Sequence, residues 1–329
     1  MQDRKYYVDV MKFIGICCLF FAHVKGPEVL ENIRGFDVPM MVILSGFLAV
    51  SSFEKVGNLS YIWKRAKRLV IPTWIFLIVF YLCMMASGQN VNPADVLKSF
   101  LFQRDCGLAG GVWIIWVYLI CAVLAPLLKK GMERSWFLPA AIAVLIAYEA
   151  VVALVPNLTD VRILYYSAFT IIPYGVILLL GMYLNKLDTS KRIILLVCVA
   201  AVHVILVGYY VLRNGDYQLI SQYKYPARTY YLSYGLSITI ILMEVLQKIE
   251  NKLPRIKLIT FVSKHSLWIY LWQIMMLTIV NHVIKISDNW VLSWWVLMIG
   301  SILLTWIQNF IVDKIQQKFN WIFLQYFRG

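Results

Sequence analysis

Residues 3–24 read DRKYYVDVMKFIGICCLFFAHV, and Asp9, Lys12 and His23 lie inside this first apolar stretch. Histidine is the side chain best suited to take up a proton near neutral pH, so His23 is a candidate general base. The same imidazole could carry a transferred group for one step. A helix turns about 100° and rises about 1.5 Å per residue, which puts Lys12 and His23 within roughly 20° of one line and about 16 Å apart. Asp9 falls within about 40° of that line. Lys12 is too distant to touch His23, so a supporting role is expected for it and for Asp9. These two can pair at i, i+3, which lowers the cost of burying both. An ionised group at mid-bilayer costs at least about 2.5 kcal/mol and normally faces a bundle interior or water. The bland alternative makes Asp9 and Lys12 headgroup anchors and His23 an interfacial histidine.

A second set of chemistry-bearing residues is Lys64, Arg65, Lys67 and Arg68, within WKRAKRLVIPTW. Arginine holds phosphate by paired hydrogen bonds, so this cluster suits a phosphate-bearing ligand. It would equally serve as an anchor on anionic lipid. The outer stretch RNGDYQLISQYKYPAR, residues 213–228, offers aromatic faces and amide and guanidinium donors of the kind that suit sugar rings. Other polar residues in apolar surroundings read as structural. Glu149 has no evident sequence neighbour, and His203 reads as a packed helix residue. Glu244 and Gln308 lie near inner span ends, where solvation is easy, Asn281 and His282 lie near the outer interface and could face the same cavity as His23, and Asp37 reads as a helix cap.

The elements that must position these groups are membrane helices. The 329 residues are 61% hydrophobic with a mean hydropathy of +0.72. Ten apolar runs recur, near 7–24, 37–53, 70–87, 112–128, 136–155, 163–184, 193–212, 229–247, 266–285 and 290–312. Most could cross roughly 30 Å of hydrocarbon as a helix. The expectation is an all-α polytopic membrane protein of about ten transmembrane helices, forming a single domain over 1–329. Lys and Arg number 21 in the segments that alternate with the N-terminal tail and nine in the opposite loops, which places both termini in the cytoplasm. The net charge of +14 is therefore membrane topology, and no nucleic-acid partner is expected. Asp9 and Lys12 interrupt the first run and no small-residue cleavage site follows His23, so this run reads as a retained span. Five of the six cysteines lie in apolar runs, leaving Cys106 in an outer loop. That pattern is neither a disulfide framework nor a metal site. No phosphate-binding loop, nucleotide fingerprint or internal repeat is present.

YYVDVMKFIGICCLFFAH resembles the first helix of acyltransferase family 3, the integral-membrane O-acyltransferases, in which a basic residue, ten intervening residues and a histidine recur. Lys12 and His23 fit that spacing, with lysine in place of the commoner arginine. FDVPMMVILSGFLAVSSF resembles the family's second helix, and Arg65 and Arg68 match two arginines separated by two residues at the start of its third. VWIIWVYLICAVLAPLL resembles the fourth, and SKHSLWIYLWQ a late helix that usually ends in histidine where this chain has Gln273. No proton-transfer role is expected at Gln273.

The resemblance implies a membrane O-acyltransferase. An acyl-CoA donor, acetyl-CoA by preference, would meet Lys64, Arg65, Lys67 and Arg68 at the cytoplasmic face. Its pantetheine arm would run along the polar stripe to His23. No permanently bound cofactor or metal is implied. The acceptor would be a sugar hydroxyl of a surface polysaccharide or its lipid-linked precursor, and the location a bacterial cytoplasmic membrane. Other members carry an added hydrolase-like domain, and with none before Gly329 the transfer is expected within the membrane domain. Two other readings remain open at this point. One is a transporter or flippase for a lipid-linked sugar, though only Pro173 breaks the middle of a span and no paired halves are visible. The other is an inactive partner of a polysaccharide assembly.

Overall fold

The computed structural model describes residues 5–319 and 321–328, with the side chains of 53–56 and 322 left undescribed. Arg4, the Lys55 side chain and Gly329 therefore lie outside the described residues. Among the described residues the structure is helical (84% helix) and no strand occurs, as expected for an all-α polytopic protein.

The principal helices are α1 (Tyr6–Phe21), α2 (Asp37–Val56), α3 (Asn58–Ala86), α4 (Trp113–Gly131), α5 (Phe137–Leu154), α6 (Ala168–Lys186), α7 (Thr189–Asn214), α8 (Thr229–Ile249), α9 (Ser266–Thr278) and α10 (Trp290–Phe319). Among the described residues, nine helical stretches are long and apolar enough to cross a membrane. The tenth element, α1, has 16 residues and about 24 Å of rise.

Two boundaries differ from the sequence reading. The first helix stops at Phe21, and His23 sits in a tightened turn where His23 N donates to Phe20 O at 3.1 Å. Pro27 disfavours helix in the residue before it, and a Cβ on Gly26 would stand 2.3 Å from the Phe21 ring. The calculated alignment of Lys12 with His23 therefore holds only as far as Phe21. In the other direction, α3 begins at Asn58, ahead of the apolar run near 70–87, so the cationic cluster lies within the helix. Its 29 residues span about 43 Å, more than hydrocarbon requires.

The chain clusters into two compact units with interleaved segments. The first comprises residues 1–11, 28–62 and 120–254, the second 12–27, 63–119 and 255–329.

In the first unit α2, α6 and α8 approach almost backbone to backbone. A Cβ on Gly46 would lie 2.2 Å from Leu178 O, and one on Gly181 would lie 2.2 Å from Ile43 O. A Cβ on Gly235 would meet Pro39 at 2.4 Å. Small residues permit such crossings in lipid, where dispersion and backbone proximity replace the hydrophobic drive. By contrast, α7 exposes Ile194, Val197, Val204, Ile205 and Leu212, a surface that lipid solvates. The start of α1 is held by Glu250, whose Oε1 accepts from Tyr6 N at 2.6 Å and Tyr7 N at 3.3 Å.

In the second unit the core joins α1, α9 and α10. Ile16, Phe20 and Val24 pack with Ile269, Val280 and Leu297. Trp294 Nε1 donates to Cys17 O at 3.1 Å, and Phe21 meets the Trp290 ring edge-on at 5.4 Å.

Candidate functional site

The second unit brings His23 to a partner 250 positions away. His23 Nδ1 lies 2.9 Å from Leu19 O and 2.8 Å from the Gln273 side-chain amide. A carbonyl only accepts, so the Leu19 contact requires Nδ1 to carry the hydrogen. The lone pair then resides on Nε2, the form a general base needs. Oxygen and nitrogen of an amide are assigned from the hydrogen-bond network, and with Nδ1 protonated the amide oxygen is the compatible atom to face the ring. Gln273 is 1% exposed and its Oε1, as placed, has no hydrogen-bond partner. Turning the amide brings that oxygen to the ring. Leu19 and Gln273 then both orient the imidazole and stabilise it once charged. The sequence assigned Gln273 no proton transfer. Its contact makes it a positioning residue, and its place where the resembled family has histidine was the available signal.

Lys12 is half-buried in the same unit. Nine residues of helix separate it from Phe21, about 14 Å of rise, so it does not reach the imidazole directly. Asp9 is buried and falls in the part of α1 grouped with the first unit.

Lys64, Arg65, Lys67 and Arg68 belong to the second unit and occupy an arc of about 160° around α3. Lys64 and Arg68 are exposed, and Lys67 Nζ stands 4.7 Å over the Trp63 ring. Four cations on one side of a helical end form a phosphate-competent surface. The second unit also holds a cavity of about 390 Å³ lined by residues such as Phe76, Val79, Trp268, Ile311 and Phe327. Gln308 also lines it, but its Oε1 accepts from Trp272 Nε1 at 2.7 Å and its Nε2 donates to Phe327 O at 2.6 Å. No convergent reactive group enters it.

The remaining polar residues are chiefly structural. In the first unit Glu149 Oε2 pairs with Arg228 Nε at 2.6 Å and its Oε1 accepts from Thr229 N. Glu244, expected in easy solvation, pairs at 2.5 Å with Arg192, itself 6% exposed. His203 lies 3.2 Å from Ser233 Oγ and stacks on Tyr230. Asp37 accepts from Val38 N at 2.7 Å and pairs with Arg34 at 3.2 Å. In the second unit Asn281 and His282 are exposed in a wide turn, Ile279–Ile284. His265 Nδ1 donates to Arg328 O, and Trp268 Nε1 donates to Tyr326 O at 2.9 Å, docking residues 325–328. Burial pushes the His265 pKa down. Cys106 is a free thiol pushed up to about 12 by burial, with Asp95 and Asp105 adding to it. Among the described residues no cluster of metal-ligating side chains occurs.

The family model for an acyltransferase domain, Acyl_transf_3, matches residues 5–308. No curated protein and no solved structure matches the chain.

Proposed function

The chain belongs to acyltransferase family 3, and we propose that this membrane acyltransferase moves an acyl group, acetyl by preference, from cytoplasmic acyl-CoA to a sugar hydroxyl. The acceptor is a surface polysaccharide or its lipid-linked precursor, and the chain resides in the cell membrane with both termini cytoplasmic. One observation carries the catalytic assignment: Leu19 O, 2.9 Å from His23 Nδ1, can only accept, so Nδ1 carries the hydrogen and the basic lone pair is on Nε2. Both the donor cluster and His23 belong to the second unit. The CoA phosphates rest on Lys64, Arg65, Lys67 and Arg68, and Lys12 lies along the route of the pantetheine arm. Asp9 supports the same helix from its inner end.

His23 Nε2 takes the proton from the acceptor hydroxyl as its oxygen attacks the thioester carbonyl. A C–O bond forms and the C–S bond breaks. The proton passes from Nε2–H to the leaving sulfur, giving an ester and free CoA. The Leu19 carbonyl and Gln273 amide oxygen stabilise the transient imidazolium.

The test is release of free CoA by purified protein in lipid, wild type beside His23→Ala. Loss of a general base lowers turnover by about 10²–10⁴. Equal release by the two proteins overturns the assignment of His23. Acyl-CoA binding without release in either protein indicates an obligatory acceptor, whereas absent binding favours the transporter reading.

A further inference from the structure

In the first unit, several buried polar atoms lack partners around Asp37. Asp37 is 1% exposed, and its ion-pair partner Arg34 leaves Nε buried with no hydrogen-bond acceptor. Tyr174 on α6 and Tyr231 on α8 are also buried, and neither phenolic hydroxyl has a partner. The two phenols lie within each other's electrostatic reach and that of Asp37. Helical register supports the convergence. Tyr174 precedes Gly181 by seven residues, so it shares the face that meets α2, and Tyr231 precedes Gly235, which touches Pro39, by four. A buried hydroxyl without a hydrogen bond is destabilising, and native proteins keep few such groups.

The loop that the sequence marked as suited to sugars packs beside this cluster. Asn32 Oδ1 accepts from Ile220 N at 2.7 Å, and Asn32 Nδ2 donates to Tyr217 Oη at 2.8 Å. Tyr234 Oη donates to Ile33 O at 2.7 Å, and a Cβ on Gly35 would meet Ile220 at 2.8 Å. Tyr225 of the same loop lies in the electrostatic surroundings of both unpartnered phenols. Residues 217–225 thus cover the segment that leads into Asp37.

We propose that Arg34, Asp37, Tyr174 and Tyr231, with the covering loop, form a binding site for a neutral, hydroxyl-rich ring: the acceptor sugar. The charge balance sets the ligand class. Arg34 and Asp37 neutralise each other, which favours neither an anion nor a cation. The unmatched atoms are one N–H donor and two hydroxyls that can donate or accept. A ring bearing several hydroxyls supplies both complements, and tyrosine faces suit its C–H surface. The identity of the ring as acceptor rests on the acyl-transfer reading, whereas the presence of the site does not.

Binding is therefore measured without donor, on the full chain in lipid nanodiscs, as the melting-temperature shift caused by methyl glycosides of glucose, galactose, mannose and rhamnose. At least one glycoside is expected to raise the melting temperature of wild type. Tyr174→Phe and Tyr231→Phe should each demand about tenfold more glycoside for the same shift, the loss of one hydrogen bond. Their unliganded melting temperatures should not fall, since each removed hydroxyl lacks a protein partner. No shift with any glycoside, an undiminished shift in both variants, or a fall in unliganded stability overturns the site, the first two leaving water as its occupant and the third making the hydroxyls structural. Asp37→Asn, which keeps size but removes the charge balance, supplies a second variant and should also weaken the shift. A separate arm follows CoA release with acyl-CoA present. Glycoside binding without any acyl-CoA turnover would keep the site and overturn the acceptor role.

Discussion

Two polar clusters of the first unit share almost the same residue types and differ in completion. Around Glu149, the carboxylate meets Arg228 and Thr229 N, while Tyr148 Oη donates to Ala227 O at 2.7 Å. Around Asp37, the carboxylate meets Arg34 and Val38 N, but Arg34 Nε and two phenols remain unmatched. The first cluster fastens the start of α8 to α5, and its polar atoms are consumed in doing so. The second retains hydrogen-bonding capacity that its protein neighbours do not use. A carboxylate beside an arginine and tyrosines is therefore no indication of function on its own, and the unmatched atoms separate the two cases.

The contrast breaks most visibly at Glu149. Glu149→Ala strands a largely buried Arg228 and should destabilise the chain by about 3–5 kcal/mol, read by denaturant unfolding in mild detergent. A loss below that of an ordinary surface change would show that the closed cluster is not structural. The cations of α3 are a second open set. Arg65→Ala should weaken acyl-CoA binding by about 1.5–3 kcal/mol, one charged contact, with unfolding unaffected. Unchanged donor affinity would reduce the cluster to a lipid anchor.

A finer comparison pairs Tyr148→Phe with Tyr231→Phe. The former leaves Ala227 O without its donor and should lose about 1 kcal/mol of stability, while the latter should lose none. Equal losses would erase the distinction between the clusters. The smallest effect concerns His265 in the second unit. Burial lowers its pKa from the ordinary 6.5, Lys264 and Arg68 act in the same sense, and Arg328 O and Asp313 oppose. The folded chain then binds this proton less readily than the unfolded chain. Its contribution is complete above pH 6.5 and declines as the pH falls through the folded value. Amide protection factors in residues 325–328, measured against the intrinsic exchange rate at each pH, should therefore fall on mild acidification in wild type and not in His265→Gln.

The helices were legible because apolar runs of membrane length leave little choice in lipid. Their ends were less so. Lys64 to Arg68 fall outside the third apolar run because charge marks a boundary in hydropathy, yet nothing in that segment breaks a helix, and α3 runs through it. Gly26-Pro27 did signal the early stop of α1, a signal that the apolar count overrode. His23, the cationic cluster and the family pattern stood out by residue type and spacing. Gln273 stood out only as the replacement for a family histidine, since its role depends on a contact across 250 positions that no local pattern encodes. Arg192 with Glu244 was hidden for the same reason. Tyr174 and Tyr231 were two tyrosines among 20 in the chain, and an unsatisfied hydroxyl is a property of surroundings rather than of sequence.

At Gly46 and Gly181 the seam between α2 and α6 contains carbonyls against bare α-carbons. Such a joint has no layer of rotamers to soften with warming. Its looseness cannot grow by degrees, so the two helices should part together or not at all. A single methyl at either glycine acts there as a wedge, whose thrust falls on the main chain of the opposite helix instead of being absorbed by a yielding side chain.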